Sequence, residues 1–107
     1  MYSLSRHVTD FCIAGFTYWD GVEALAGVKI GSRLVLSCER DNPYDPEAVA
    51  LYFGNAKLGY IPKSKNKQIS QFLFFGHEIF EAFVCQIDLD EHPERQIRVA
   101  IKLIDSR

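Results

Sequence analysis

The sequence predicts a mainly β fold, a small six-stranded barrel with one α-helix as its plug or lid. Three observations carry that expectation. Apolar and polar residues alternate with a period of two in several runs, and Gly, Pro, Asn and Asp punctuate the chain between them. Only one segment places its apolar residues at helical spacing instead.

Val8 to Thr17 reads as the first strand, with Phe11, Ile13 and Gly15 opposite Cys12, Ala14 and Phe16; it is apolar on both faces, as inside a small closed barrel. The Tyr18-Trp19-Asp20-Gly21 turn ends it. Val22 to Gly31, interrupted by Gly27 and Gly31, is read as a helical turn followed by a tight turn. Arg33 to Glu39 sets Leu34, Leu36 and Cys38 against Val35, Ser37 and Glu39. Glu47 to Phe53 sets Val49, Leu51 and Phe53 against Ala48, Ala50 and Tyr52. Gly54-Asn55 turns the chain into a strand over Lys57 to Ile61, stopped by Pro62. Ser64 is the expected N-cap of a helix running to about Phe75, with Ile69, Phe72, Leu73 and Gly76 on its buried side and Gly76 as terminator. Glu78 to Ile87 and Arg95 to Ile104 form the last hairpin around an Asp88 to Glu94 loop, with Ile97, Val99, Ile101 and Leu103 facing inward. Phe11, Phe53, Phe72, Phe80 and Phe83 are assigned to the core.

A chain of 107 residues, 48% of them hydrophobic, fits one domain with a real core and leaves no room for a second. No apolar run approaches the roughly 20 residues that cross a bilayer, and Met1 to Asp10 lacks the apolar centre of a secretion signal, so the expected compartment is the cytoplasm. Cys12, Cys38 and Cys85 are odd in number and widely spaced, which suits buried reduced thiols and offers no paired zinc ligands; no metal and no other cofactor is expected. The net charge of −2 argues against a polybasic binder, because nonspecific affinity for nucleic acid comes largely from neutralised phosphates. Charge is nevertheless unevenly spread: Lys57, Lys63, Lys65 and Lys67 lie together, while Asp88, Asp90, Glu91 and Glu94 share a different loop.

Glu39 to Pro62 organises the rest, and above all Arg40-Asp41-Asn42-Pro43-Tyr44-Asp45-Pro46-Glu47-Ala48-Val49. Its two prolines fix their own φ near −65° and push Asn42 and Asp45 out of the helical region. The result is a stiff turn between two strands that projects Tyr44 and Asp45 from a rigid base. Aromatic faces for bases and cations for phosphates are what hold single-stranded nucleic acid, and Tyr18, Trp19, Tyr44, Tyr60 and the lysines after Pro62 supply both. Exposed amphipathic rings in loops favour such a role for Tyr18, Trp19 and Tyr44.

That loop, followed by Gly59-Tyr60-Ile61-Pro62 and preceded by Gly15-Phe16-Thr17-Tyr18-Trp19-Asp20-Gly21, resembles the HIRAN domain family. The three blocks keep their order over residues 15 to 62, within a motif region spanning 11 to 84. The resemblance implies a small OB-like β-barrel that binds single-stranded DNA, particularly a free 3′ end, and that occurs alone in bacteria or joined to helicase-type ATPases. It implies that Tyr18 stacks on a terminal base, that Tyr44 and Asp45 line the pocket for the last nucleotide with the Asp45 carboxylate accepting from its 3′-hydroxyl, and that Tyr60 and Lys63 add contacts; Lys63, Lys65 or Lys67 are the cations that compensate for a missing phosphate contact. One residue departs: Thr17 stands where DNA-binding eukaryotic members carry an arginine, so a bidentate phosphate contact is missing.

The expected function is capture of single-stranded DNA by its 3′-hydroxyl end in repair or replication-fork processing, without enzymatic activity, since no phosphate-binding Gly-rich loop or nucleophile motif is present. Repair or helicase proteins are the expected macromolecular partners besides DNA. Two rivals come from other classes. Trp19, Phe74 and Phe75 would form an exposed apolar patch on a protein-interaction adaptor. Asp41 and Asp45, with Glu39 or Glu47, would form a carboxylate cluster holding Mg²⁺ in a nuclease.

Overall fold

The computed structural model describes residues 6–76 and 79–104. Its strands are β1 (Arg6–Cys12), β2 (Arg33–Glu39), β3 (Ala48–Phe53), β4 (Ala56–Tyr60), β5 (Phe80–Ile87) and β6 (Ile97–Leu103), with helices α1 (Gly21–Ala24) and α2 (Lys63–Phe74). All neighbouring strands are antiparallel, in the order β1-β6-β5-β2-β3-β4. The fold is mainly β, as expected; its six strands form a curled half-barrel, and besides the expected α2 it carries the short α1, in the stretch read as a helical turn.

Strand β2 is its corner. Arg33 and Leu34 pair with β5, whereas Val35 to Glu39 pair with β3, so one strand serves two sheet segments. The two outer edges, β1 and β4, meet at a single bridge, where Ala14 and Tyr60 exchange backbone hydrogen bonds of 2.9 Å each. Gly59 makes this closure possible. Its φ is +145°, and a Cβ there would lie 2.5 Å from the carbonyl oxygen of Ala14.

The first strand ends earlier than its pattern predicts. Alternation continues to Thr17 in the sequence, but the ladder stops at Cys12; Gly15 then adopts φ +72° and a 3₁₀ turn covers Phe16–Tyr18. Burial of Phe16 explains the departure. Its ring is 1% exposed and packs against Gly21, where a Cβ would come within 2.3 Å of the ring. A strand continuing to Thr17 would carry that large side chain away from this socket.

Helix α2 also differs from the expectation in register. Pro62, not Ser64, is its N-cap, with ψ of 144° and its carbonyl oxygen accepting from the Lys65 amide at 2.9 Å. The buried face is Asn66, Ile69 and Ser70 with partly buried Leu73, whereas Phe72 is 41% exposed. The rotation toward Asn66 follows from the bond its amide makes to Asp45, described below. Phe72 instead packs edge-to-face on Phe80 at 5.9 Å. Gly76 ends the helix as expected, with φ +83° and its amide donating to the Leu73 carbonyl at 3.0 Å.

The core joins Phe11, Ile13 and Phe16 to Val49, Leu51, Leu58 and Ile61, to Ile69 of α2, and to Val84, Ile97, Val99 and Ile101. Phe11 is buried as assigned, Phe53 and Phe80 pack partly buried against the core, and Phe83 is half-buried beneath the Lys102 ammonium. Leu103 is exposed at the strand end. The cysteines are free and only half-buried. Glu78, expected to open β5, lies outside the described residues.

Substitution at the closure gives a direct check. Gly59→Ala should cost at least ~2 kcal/mol more than Gly54→Ala, because both glycines have positive φ but Gly54 (+61°) has open space around it. Urea unfolding midpoints measure the difference, and equal costs would show that contact with the Ala14 carbonyl is unimportant.

Candidate nucleic-acid interface

The loop after β2 is satisfied from within. Pro43 and Pro46 have no N–H to place, and two side chains serve the amides between and after them: Asn42 Oδ1 accepts from the Tyr44 and Asp45 amides at 2.8 and 3.1 Å, and Asp45 Oδ1 accepts from the Glu47 amide at 2.9 Å, while the Asn42 and Ala48 amides donate to the Glu39 and Asp45 carbonyls at 3.0 Å each. Asp45 Oδ2 then accepts from the Asn66 amide at 2.8 Å, which ties the loop to α2. Tyr44 is left pointing outward from a rigid turn, 85% exposed.

This loop, the Gly15–Trp19 turn, the ends of β2 and β4 and the start of α2 enclose a cleft of about 730 Å³. Its size falls within the roughly 300–1,000 Å³ of small-ligand pockets. Tyr18, Trp19, Tyr44, Asp45, Tyr60 and Lys63 all line it. Lys65 does not, because its ammonium donates to the carbonyl oxygen of Asp10 at 2.8 Å. Lys67 is exposed and outside the lining. The bridge between Ala14 and Tyr60 is what brings the first wall against the floor, and both residues line the cleft.

The floor is a network that sequence reasoning missed. Lys57 Nζ lies 2.8 Å from Glu39 Oε2 and donates to the Tyr60 hydroxyl at 2.7 Å, while that hydroxyl donates to Glu39 Oε1 at 2.8 Å. Asn42 completes the carboxylate's set at 3.2 Å. The same ammonium sits 3.8 Å from the centre of the Trp19 ring and 4.5 Å from that of Tyr60, and the two rings meet edge-to-face at 5.9 Å. Lys57 is therefore spent inside the protein and is not one of the free cations its place in the lysine cluster suggested. Burial acts to raise the Glu39 pKa, but the bonds from Lys57, Tyr60 and Asn42 outweigh it and hold the carboxyl below its ordinary range. Burial likewise acts to lower that of Lys57, and Glu39 and Tyr60 reverse it upward. Tyr60 is raised, first by burial and then by Glu39.

The first wall is the 3₁₀ turn, with Tyr18 82% and Trp19 42% exposed. Thr17 is occupied: its amide and hydroxyl donate to Glu94 Oε2 at 3.0 and 2.9 Å, and the Gly15 amide donates to Glu94 Oε1 at 3.2 Å. Glu94 comes from the loop between β5 and β6. Nothing in the local sequence signals this pairing.

A scan against family models matches the HIRAN domain over residues 7–104. The chain belongs to the HIRAN domain family. HIRAN domains are generally nucleic-acid-binding modules. Among solved structures, a protein from Lactobacillus plantarum aligns with a TM-score of 0.78 at 22% identity, covering 92% of this chain and 94% of the other. The HIRAN domain of human HLTF aligns with a TM-score of 0.67 at 16% identity, covering 92% and 78% respectively. No curated protein sequence matches the chain.

In this HIRAN domain the carboxylates weighed as a Mg²⁺ site are separately engaged. Glu39 is paired with Lys57, Asp45 holds Glu47 and Asn66, and among the described residues no three His, Cys, Asp or Glu side chains converge as metal ligands. Asp41 lines the cleft as an exposed turn residue. The adaptor patch is also divided. Trp19 belongs to the cleft, whereas Phe74 and Phe75 lie at the end of α2 outside its lining.

The floor has a pH signature. Because the folded pKa of Glu39 is depressed, its contribution is present above the unfolded value near 4.5 and is lost as pH falls through the folded one. Lys57 is raised, so its contribution is present below 10.5 and is lost as pH rises through the folded value. Glu39→Gln should lower stability by about 1–3 kcal/mol near neutrality, and the gap from wild type should narrow as pH falls below 4.5 toward the depressed folded value. Urea titrations at several pH values test this; a gap independent of pH would contradict it.

Proposed function

We propose that the cleft captures the 3′-terminal nucleotide of single-stranded DNA, as a binding module without chemistry of its own. The observation that carries this reading is that Tyr18 and Tyr44, both more than four-fifths exposed, stand on separate rigid turns at the rim of one cleft. Exposed rings held in place are stacking platforms, each worth roughly 1–3 kcal/mol per base. Trp19 and Tyr60 are held by the floor and supply its apolar surface. Each Asp45 oxygen takes one bond within the protein, which leaves acceptor capacity for a 3′-hydroxyl and a negative charge that disfavours a terminal phosphate. Lys63, whose exposed ammonium makes a long 3.5 Å contact with the Tyr44 carbonyl, is the cation placed to meet a phosphate.

Thr17 offers no charge and its donors are already taken by Glu94, so affinity rests on stacking more than on phosphates. Capture of ends places the domain in DNA repair or replication-fork processing, beside helicase or repair proteins. A protein-interaction role has one observation in its favour: Phe74 and Phe75, 51% and 73% exposed, stack edge-to-face at 5.2 Å with the Arg40 guanidinium 3.9 Å over Phe74.

Asp45→Asn separates recognition from folding better than Asp45→Ala, because an amide oxygen still accepts from Glu47 and a flipped Asn66 amide still pairs with it. Fluorescence anisotropy should show roughly 10- to 100-fold weaker binding of a 3′-hydroxyl oligonucleotide, with little loss for its 3′-phosphate counterpart. Equal losses, with a lower melting temperature, would mean that Asp45 only holds the turn. Tyr44→Ala should weaken both ligands, since stacking does not read the end group. The salt dependence should be shallow, with a log–log slope near −0.7 to −1.4 for about one or two phosphates; a slope for six or more would contradict this picture.

A further inference from the structure

Tyr18 and Trp19 form a wall of the cleft; Tyr18 ends and Trp19 follows a 3₁₀ turn of only three residues, Phe16–Tyr18, whose rigidity comes from what packs around it. The buried Phe16 ring anchors its start, and two further sets of contacts hold the residues around it. In one, the Lys57 ammonium and the Tyr60 ring hold Trp19. In the other, the Glu94 carboxylate takes the Gly15 amide, the Thr17 amide and the Thr17 hydroxyl, at 3.2, 3.0 and 2.9 Å.

Three donors on one carboxylate fix both position and orientation, because each oxygen has its own partner on the turn. Glu94 is itself braced. It sits in the 3₁₀ turn Pro93–Arg95, whose N-cap His92 accepts the Glu94 amide through Nδ1 at 3.1 Å, and Arg95 donates back to the His92 carbonyl at 2.7 Å. Burial acts to raise the Glu94 pKa, but the bonds from Thr17 and Gly15 prevail and hold the carboxyl below its ordinary range. The acidic loop, set apart from the lysines in the sequence, therefore reaches across to the cleft wall.

We infer that Glu94 is a positioning residue for the nucleic-acid cleft: it latches the Gly15–Trp19 turn so that the Tyr18 and Trp19 rings stand ready for a base. This rests on the reading of the cleft as a single-stranded DNA site, but the latch can be observed without any ligand. Trp19 is the only tryptophan in the chain, so intrinsic emission reports on the wall alone.

The experiment compares wild type, Glu94→Ala and Glu94→Gln by tryptophan emission, acrylamide quenching, thermal melting and anisotropy with a 3′-hydroxyl oligothymidine. The Ala variant should show red-shifted, more quenchable Trp19 emission at temperatures well below its melting point, and roughly tenfold weaker binding of the oligonucleotide, as for the loss of one charge-assisted hydrogen bond. Glu94→Gln keeps one acceptor oxygen and should fall between the two. Unchanged Trp19 emission in Glu94→Ala would overturn the latch. A shifted emission with undiminished affinity would overturn its role in preparing the site. Failure of the wild type itself to bind the oligonucleotide would instead overturn the reading of the cleft and with it the positioning role, whatever Trp19 reports.

Discussion

The one contact on which the site depends is the bridge between Ala14 and Tyr60. A six-stranded curled sheet has two free edges, and here this pair of 2.9 Å hydrogen bonds joins them. Every other feature of the cleft lies on one side of that junction or the other. Gly15 to Trp19 follow Ala14 directly, and Tyr60 carries the floor. Gly59 is the steric condition for the junction, since any side chain there would meet the Ala14 carbonyl.

From this junction the polar structure follows outward. Tyr60 brings its hydroxyl to Glu39, Glu39 brings Lys57, and Lys57 lies under Trp19. Glu39 also reaches Asn42, and Asn42 organises the turn that presents Tyr44 and Asp45. Asp45 in turn sets the register of α2 through Asn66. The wall, floor and projecting loop are thus one hydrogen-bonded unit, in which aromatic surfaces are held by charges that are themselves neutralised. Such a site presents faces and acceptors more than net positive charge, which suits a chain whose overall balance is −2.

What was legible in the sequence was what local chemistry decides. The hairpin of β2 and β3 and its turn could be read because proline and Asx side chains act over a few residues; the exposure of Tyr44 followed from that, and the exposure of Tyr18 from its place in the turn ending at Asp20-Gly21. What was not legible depended on contacts between distant positions. The Thr17 and Glu94 partnership spans 77 positions, and Lys57 looked like a surface cation until its partner Glu39 was placed beside it. The first strand was drawn too long because alternation cannot show that Phe16 has a socket at Gly21. The buried face of α2 was misread toward Phe72 because apolar spacing gives no hint that a polar residue, Asn66, is drawn inward by Asp45.

The most direct measurement of the central claim is amide NMR of the ¹⁵N-labelled protein titrated with a short single-stranded oligonucleotide ending in a 3′-hydroxyl. If the cleft is the binding site, the largest shifts fall on Gly15 to Trp19, on Asn42, Tyr44 and Asp45, and on Lys57 to Tyr60, all of them reversed by a 3′-phosphate competitor only at much higher concentration. Shifts confined to Arg40, Phe74 and Phe75, or none at all, would contradict it.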